Sequence, residues 1–374
     1  MTIPKVNGIA QILDGFAPRK LAESWDNVGL LVGDGSRKVH SIMVCLDIPE
    51  WVVEEAIEKK IDMIICHHPL IFNPIKRITN DDAIGRKIMK LIKHDISVYA
   101  MHTNFDSTKG GMNDILMESL GIAKSEILDP KAIDKQYKLV IFVPKRYEKK
   151  MKEAVFRAGA DSIGNYSDCG FELEGTGFFT PNESATPFIG KVNQGERTQE
   201  IRFETIVPGN ILGKALKNML KVHPYEEVAY DIIPVENRLE EYGLGKLGEL
   251  KEPMSLGVYA EKVKTLLEIE NLKIIGDCGK IIKNVAVIGG SGSSYWQKAK
   301  NKGADLLITG DVGYHTMIDA LEGGMTLIDG GHFGTEKIML KSMTEILKEL
   351  LKNKGYDEVL VEFSMTNREV CLTI

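Results

Sequence analysis

The chain has 374 residues with a formal net charge of −6, and its 43% hydrophobic and 27% charged residues are typical of a globular protein with sizeable cores. That charge argues against a generally basic nucleic-acid binder, and the five scattered cysteines exclude a cysteine-rich zinc motif and favour reduced thiols. Because the N-terminus lacks a signal-peptide pattern and no apolar run reaches the ~20 residues of a membrane span, we expect a soluble, cytoplasmic protein.

The first part of the chain alternates between predicted helices and strands. Residues 5–16 have the pattern of an amphipathic helix, and residues 41–47 have that of a strand. The apolar run Met63–Cys66 is typical of a strand buried on both faces of a parallel sheet. His67 and His68 follow its carboxyl end, where open α/β sheets place their ligand sites.

Two further segments of this part carry polar side chains beside predicted strands. The predicted strand Ile96–Met101 ends at His102, and Asp106 follows four residues later. The segment Trp25–Asn27 precedes a strand, and the sequence leaves two interpretations open: ordinary turn chemistry, or a role beside a site. Since strand and helix patterns alternate up to about residue 129, this part predicts a parallel sheet with helical crossovers.

The pattern changes in residues 129–248. The predicted order of elements there is β-α-β-β-α-β, which is the order of a ferredoxin-like unit. The glycine-rich segment Tyr242–Gly248 is expected to be a flexible return from this unit. We therefore predict that residues 129–248 are an inserted α+β domain, and that residues 1–128 plus 249–374 form one discontinuous α/β domain with a mostly parallel sheet.

Strand and helix patterns resume in the C-terminal part. A predicted strand over residues 281–288 enters the turn Gly289–Ser294, which either presents backbone N–H groups to a phosphate or is a tight turn without a ligand. The next predicted strand, over residues 305–309, is followed by Asp311 and His315. This part therefore also carries polar side chains just beyond its strand ends.

The last of these strand ends belongs to Met325–Asp329. His332 and Glu336 follow it and begin an amphipathic helix that is predicted to reach about residue 351. Because the two residues are about one helical turn apart, they share a face and can converge on one point. A terminal strand is predicted at Val370–Ile374.

Four strand ends thus carry metal-binding residue types: His67 with His68, His102 with Asp106, Asp311 with His315, and His332 with Glu336. Three histidines and two carboxylates can bind two divalent ions, with Asp106 or Glu336 as a bridge. Imidazole and carboxylate ligands suit Zn, Fe, Mn, Co and Ni alike. The alternative to metal binding is that each histidine is an ordinary core or loop residue with its hydrogen bonds satisfied. This alternative would be preferred for any single histidine taken alone.

The motifs at these strand ends resemble those of the NIF-three-like family, whose members carry the label GTP cyclohydrolase I type 2 homolog. The resemblance covers essentially the whole chain and includes the glycine–serine turn and the segment around Trp25. The inserted segment is similar to the insert of the family's longer members, which has PII/CutA-like ferredoxin topology. The motifs that carry the resemblance are His67-His68-Pro69-Leu70, His102-Thr-Asn-Phe-Asp106, Thr309-Gly310-Asp311, Gly331-His332-Phe-Gly-Thr-Glu336 and, in the insert, Tyr225-Glu-Glu-Val-Ala-Tyr-Asp231.

The resemblance implies a dinuclear metal site and a ring-shaped assembly. By residue-by-residue correspondence, the metal ligands would be His67, His68, Asp106, His332 and Glu336. Two divalent ions per subunit are expected, zinc in the first place, with Fe, Mn, Ni and Co also compatible. The family further implies a toroidal homohexamer with its metal sites facing the interior.

Two functions of different classes follow as hypotheses. The first is a metal-dependent hydrolase acting on GTP or a related nucleotide through a metal-activated hydroxide, with His102 as the proton-transfer residue because imidazole titrates near neutral pH. The second is a non-enzymatic metal-binding scaffold, metal chaperone or regulator that acts through the insert. A ring that clasps nucleic acid is a weaker third hypothesis, which the net charge disfavours.

Overall fold

The computed structural model describes residues 3–133, 135–160, 163, 166–236 and 241–371. The chain divides into two compact units, the first formed by residues 1–132 with 242–374 and the second by residues 133–241.

The described strands are β1 (Gly29–Val32), β2 (Ser41–Cys45), β3 (Met63–Cys66), β4 (Ser97–Ala100), β5 (Ala123–Ile133), β6 (Gln136–Pro144), β7 (Phe171–Phe179), β8 (Glu196–Pro208), β9 (Tyr230–Val235), β10 (Glu241–Ser255), β11 (Lys273–Ile275), β12 (Ile281–Val287), β13 (Leu306–Thr309), β14 (Thr326–Asp329) and β15 (Leu360–Phe363). The described α-helices are α1 (Val6–Phe16), α2 (Glu50–Glu58), α3 (Ala83–Lys93), α4 (Thr103–Ser107), α5 (Met112–Ser119), α6 (Glu148–Phe156), α7 (Leu212–Val222), α8 (Leu256–Leu266), α9 (Trp296–Asn301), α10 (Tyr314–Glu322), α11 (His332–Glu336) and α12 (Met339–Lys352). Short 3₁₀ turns cover Arg19–Leu21, Lys145–Tyr147 and Ser293–Tyr295.

The first unit contains two sheets, whereas the sequence pattern predicts one α/β domain without dividing its strands between sheets. In the first sheet the order is β1-β4-β3-β2-β15. The strands from β4 to β15 are parallel, and β1 pairs antiparallel with β4. Alternate residues of β3 enter two different cores: Met63 and Ile65 pack with α1 and α12, and Ile64 and Cys66 pack with α2 and α3. Both faces are therefore buried, as the apolar run predicts.

The second sheet has the order β11-β14-β13-β12-β10-β5. Its β12, β13 and β14 are parallel, while β11 and β10 run antiparallel to β14 and β12. Helices α5 and α8 cover one face of this sheet, and α9 and α10 cover the other. As a result, the carboxyl ends of β12, β13 and β14 lie side by side, as do those of β2, β3 and β4 in the first sheet.

The glycine-rich segment Tyr242–Gly248 is not a flexible return but part of β10. Its residues pair with β12, with Lys246 opposite Val287 and Gly248 opposite Val285. A Cβ atom at Gly248 would lie 2.6 Å from the carbonyl oxygen of Ala123 on β5. The glycine therefore allows two strands to approach closely, a requirement that local composition does not reveal.

Two further differences concern the end of the chain. The helix predicted from His332 to about residue 351 is divided into α11 and α12. Of the strand predicted at Val370–Ile374, residues 370 and 371 are not in a strand, and residues 372–374 lie outside the described residues.

The second unit contains the antiparallel sheet β7-β8-β6-β9 with helices α6 and α7. Its elements follow the predicted order β-α-β-β-α-β. The unit has its own core, to which β6, β8 and both helices contribute. Within the described parts of both units, no helix combines the length and apolarity needed to cross a membrane.

Candidate metal centre

Two adjacent histidines follow β3 at the carboxyl edge of the first sheet. The Nδ1 atom of buried His67 lies 2.9 Å from the carbonyl oxygen of Met101, so the ring donates from Nδ1 and keeps a lone pair on Nε2. That Nε2 atom lies 3.6 Å from Asp106 Oδ1 and 3.6 Å from Glu336 Oε1. Burial lowers the pKa of His67, which favours the neutral ring that a metal requires.

The ring of His68 is held from the opposite side. Its Nδ1 atom lies 2.9 Å from Asp47 Oδ1. Its Nε2 atom lies 3.2 Å from Glu336 Oε2 and 3.1 Å from His332 Nε2. Burial disfavours the charged ring, but the contacts with Asp47 and Glu336 outweigh burial and raise the pKa of His68 to about 10.

His332 and Glu336 come from α11 of the second sheet. The Nδ1 atom of His332 lies 2.6 Å from Asp311 Oδ2, and its Nε2 atom lies 3.3 Å from Glu336 Oε2. The close contact with the Glu336 carboxylate raises the pKa of His332 to about 9, with Asp311 contributing in the same direction. Glu336 is buried, and burial alone would raise its pKa, but the surrounding histidines hold it well below the ordinary value.

Asp106 and His102 lie at α4, just after β4. Asp106 is buried, and burial together with the nearby charge of Glu336 raises its pKa well above the ordinary value. The Nδ1 atom of His102 lies 2.9 Å from Asp26 Oδ1. Burial opposes ionisation of Asp26, but its hydrogen bonds with His102 and Thr103 lower its pKa to about 2. Asp26 is therefore an ionised partner of Nδ1, and the Nε2 atom of His102 remains available to bind a metal or to transfer a proton.

We call this group the histidine cluster; its members are His67, His68, Asp106, His332, Glu336 and His102. The ring centroids of His67 and His102 are 5.2 Å apart, and those of His68 and His332 are 5.0 Å apart. Two overlapping sets of ligand atoms lie within metal-binding distance of one another, one from His67, His68 and His102 and the other from His68, His332 and Glu336.

The donor set fits a divalent metal. The Nε2 atom of His67 and the Oε2 atom of Glu336 are buried without a hydrogen-bond partner, which is costly unless an ion or a further group contacts them. Each of the four rings has its Nδ1 atom against a carbonyl or a carboxylate, which orients Nε2 inward. The protein therefore has histidine and glutamate groups that can bind a metal ion.

Two sequence expectations at this site turn out differently. His315 is exposed on α10, and its ring packs edge-on against the ring of Tyr314 rather than against a member of the histidine cluster. In the turn Gly289–Ser294, the N–H groups of Gly289, Gly290 and Gly292 donate to Asn113, Thr335 and Thr309 within the protein. Because three of its six N–H groups already donate within the protein, the turn has fewer donors to offer a phosphate than the sequence suggests.

The turn instead packs against the site. A Cβ atom at Gly290 would lie 2.2 Å from Glu336 Oε1 and 3.1 Å from His332 Nε2, and Gly290 also has a φ of 62°. Sequence reasoning missed Asp47 as a partner of His68. The sequence contained a signal for it, since Asp47 is the second residue after the buried strand β2, as His68 is the second residue after β3.

A cavity of about 640 Å³ opens beside the histidine cluster. His68, His332 and Glu336 line one part of it, and Trp51 and Arg368 line another. Its size lies within the range of small-molecule sites in proteins.

Comparisons with known proteins cover almost the whole chain. A family model described as Duf34/NIF3 (NGG1p interacting factor 3) matches residues 4–369. The chain is 43% identical over 365 residues to a protein of Halalkalibacterium halodurans named GTP cyclohydrolase 1 type 2 homolog, covering 98% of each. It is 44% identical to a Bacillus subtilis protein of the same name, covering 94% of each. The crystal structure of a Bacillus cereus protein related to NIF3 matches with a TM-score of 0.90 at 41% identity and covers both chains fully.

Proposed function

The chain belongs to the DUF34/NIF3 family, and from this membership and the geometry of the histidine cluster we propose that it is a cytoplasmic, metal-dependent hydrolase acting on GTP or a related nucleotide. The nucleotide comes from the name of the relatives. The proposal includes two divalent ions per subunit, zinc in the first place. Their ligands are His67, His68, Asp106, His332 and Glu336.

One observation supports the proposal most strongly: ring nitrogens and carboxylate oxygens of residues that follow strands of two different sheets lie close together. The Nε2 atoms of His68 and His332 both lie within 3.3 Å of Glu336 Oε2. If these residues served only to stabilise the fold, the buried Nε2 atom of His67 would have lost its contact with water and gained no hydrogen bond in return. Divalent ions bound there would act as Lewis acids and activate water for hydrolysis.

His102 is the proton-transfer residue in this proposal. Asp26 accepts its Nδ1–H and fixes the tautomer, so its Nε2 atom can take or give a proton. The Trp25 ring lies edge-on to the His102 ring with centroids 6.1 Å apart, and it packs at a tilt against the Phe72 ring with centroids 5.8 Å apart. Aromatic side chains therefore border one side of the imidazole. Asp26 thereby acts as a positioning residue rather than a reacting group.

The test is metal analysis of freshly purified protein, followed by a screen of GTP and related nucleotides with the metal found. We expect about two ions per chain and release of formate or another hydrolysis product. The variants His102→Gln and Asp26→Asn should lower turnover while two ions remain bound. Absence of turnover with every metal that binds would refute the hydrolase. Loss of metal from the His102→Gln variant would make His102 a ligand instead of a proton-transfer residue.

A second function, a non-enzymatic metal-binding regulator, has one specific observation in its favour. The second unit contains its own cavity of about 460 Å³, lined by aromatic side chains such as Phe142, Phe179 and Tyr225 together with Glu200. A small molecule bound there would give the unit a sensing role. Tight metal binding without turnover of any nucleotide would favour this function over the hydrolase.

The proposal extends to the second unit and to assembly. We propose that the second unit is a PII/CutA-like ferredoxin-like domain, on the basis of its β7-β8-β6-β9 order and its two helices. We further propose a toroidal homohexamer, as the family resemblance implies. Light scattering of the purified protein tests the hexamer, and a monomeric or dimeric mass would refute it.

A further inference from the structure

Residues 367–371 form part of the cavity beside the histidine cluster. Ser364, Met365 and Thr366 are tied to the buried carboxylate of Glu55: Ser364 Oγ and Thr366 Oγ1 donate at 2.6 and 2.7 Å, and the backbone N–H of Met365 at 3.0 Å. A buried carboxylate with several donors is a rigid anchor. The segment that follows is therefore held in a defined place.

Asn367 continues this attachment and brings Arg368 to the cavity. The Oδ1 atom of Asn367 accepts a hydrogen bond of 2.6 Å from the backbone N–H of Leu46, the residue before Asp47. Next along the chain, the guanidinium carbon of Arg368 lies 5.5 Å from the centre of the Trp51 ring. This cation–π contact restricts the position of the guanidinium and does not use its N–H groups.

The charge of Arg368 is not paired with a carboxylate of any described residue. Among the described residues that line the cavity it is the one lysine or arginine, and it makes no ion pair with any described residue. The carboxylates of the same cavity are occupied elsewhere, since Asp47 contacts His68 and Asp311 contacts His332. Glu369 accepts the N–H groups of the two residues that follow it.

We propose that Arg368, supported by Trp51, is a phosphate-binding residue that holds the phosphate of a substrate whose reacting part lies at the histidine cluster. A guanidinium donates two parallel hydrogen bonds to a phosphate, and an oriented, unpaired guanidinium does so with little loss of freedom. The inference rests on the proposed function for the location of the reacting part, and it names the substrate class as a phosphate-bearing small molecule. Three N–H groups of the turn Gly289–Ser294 already donate within the protein, whereas Arg368 offers unused donors for the phosphate-binding role first considered for that turn.

The test measures binding of inorganic phosphate by isothermal titration calorimetry to metal-free and to metal-loaded protein. Arg368→Gln removes the charge and should raise the Kd about tenfold or more in both forms. Arg368→Lys keeps the charge but loses the planar guanidinium, so its Kd for phosphate should lie between those of wild type and Arg368→Gln. Arg37→Gln is the matched control, because Arg37 is exposed and paired with Asp95 at 2.6 Å. It should leave the Kd within twofold of wild type.

Unchanged phosphate affinity in Arg368→Gln, or an equal loss in Arg37→Gln, would overturn the inference. Because Arg368 makes a stacking contact and no hydrogen bond within the described chain, its replacement should not unfold the protein. Trp51→Leu is a second variant, which keeps the charge of Arg368 but removes the aromatic ring beneath its guanidinium. It should weaken phosphate binding severalfold. Metal per chain is measured in parallel. Protein without metal refutes the proposed function alone, whereas two bound metals with unaltered phosphate affinity in Arg368→Gln refute this inference alone.

Discussion

The Nε2 atom of His68 lies 3.1 Å from the Nε2 atom of His332, although 264 positions separate the two residues in the sequence. Both atoms face the same oxygen of Glu336, at 3.2 and 3.3 Å. A metal ion is a partner that all three groups can bind. The relationship between these histidines motivates the predictions that follow.

Removal of His332 and Glu336 together should abolish most metal binding. The double variant His332→Ala, Glu336→Ala should still fold, because the cores on both faces of the second sheet contain neither residue. Elemental analysis of the folded protein measures metal per chain. His315→Ala is the control, since His315 is exposed and away from the histidine cluster. Two metals per chain in the double variant would contradict the site.

Asp47 should matter for metal affinity without being a ligand. Asp47→Asn keeps the size of the side chain but weakens the contact that orients His68, and such outer partners typically contribute about 10- to 100-fold in metal affinity. Competition with a chromogenic chelator measures the change. Asp95→Asn, which alters only an exposed ion pair with Arg37, should leave affinity unchanged. Equal affinities for the two variants would show that Asp47 does not support the site.

Metal binding should release protons near neutral pH. Without metal, the contacts with Asp47 and Glu336 raise the pKa of His68 to about 10, and the contact with Glu336 raises that of His332 to about 9, so protonation of this pair is favoured at neutral pH. A metal binds only the neutral imidazole, so protons must leave on binding, and metal affinity must rise with pH up to about 10. Calorimetry in two buffers of different ionisation enthalpy counts the protons. No release at pH 7.5 would rule out binding through these two rings.

Replacement of Gly290 should damage the site more than the fold. Alanine there requires a φ of 62° and brings its Cβ atom to 2.2 Å from Glu336 Oε1, so the carboxylate must move and metal should be lost. Gly303→Ala is a matched control, because Gly303 has a φ of 86° with nothing within 4 Å of the added Cβ atom. Each variant should lose ~1–2 kcal/mol of stability from the backbone conformation. Equal metal content in both variants would contradict the predicted clash.

Glu55 should make stability depend on acid pH. Burial disfavours its carboxylate, but hydrogen bonds from Lys59, Ser364 and Thr366 outweigh burial and lower the pKa from 4.5 to about 2. Since the folded pKa lies below the unfolded value, this stabilisation is fully present above about pH 4.5 and is lost as pH falls towards 2.

Urea unfolding of Glu55→Gln at several pH values tests this expectation. At pH 7 the variant should be less stable than wild type by on the order of 2–3 kcal/mol, and the difference should shrink between pH 4.5 and 2. Glu54→Gln, which removes an exposed partner of Lys90, should change stability by less than about 0.5 kcal/mol. A difference independent of pH would assign the Glu55 effect to packing rather than to its charge.

The sequence by itself determined which residues follow the buried strands. The apolar run Met63–Cys66 is a strand with both faces buried, and His67 and His68 lie just beyond it. The same reasoning located His102 after β4 and His332 after β14. These features are readable because burial and strand ends are local properties, expressed as a continuous apolar run that stops at polar residues.

Only the tertiary structure decided which of these ends meet and what holds each ring. It separated the strands of the first unit into two sheets and placed Asp47 beside His68 and Asp311 beside His332. It also made the glycine-rich segment Tyr242–Gly248 a paired strand. The physical reason is the same in each case: hydrogen-bond partners and close approaches depend on which distant segments lie side by side, and the pattern within one segment carries no information about its neighbour.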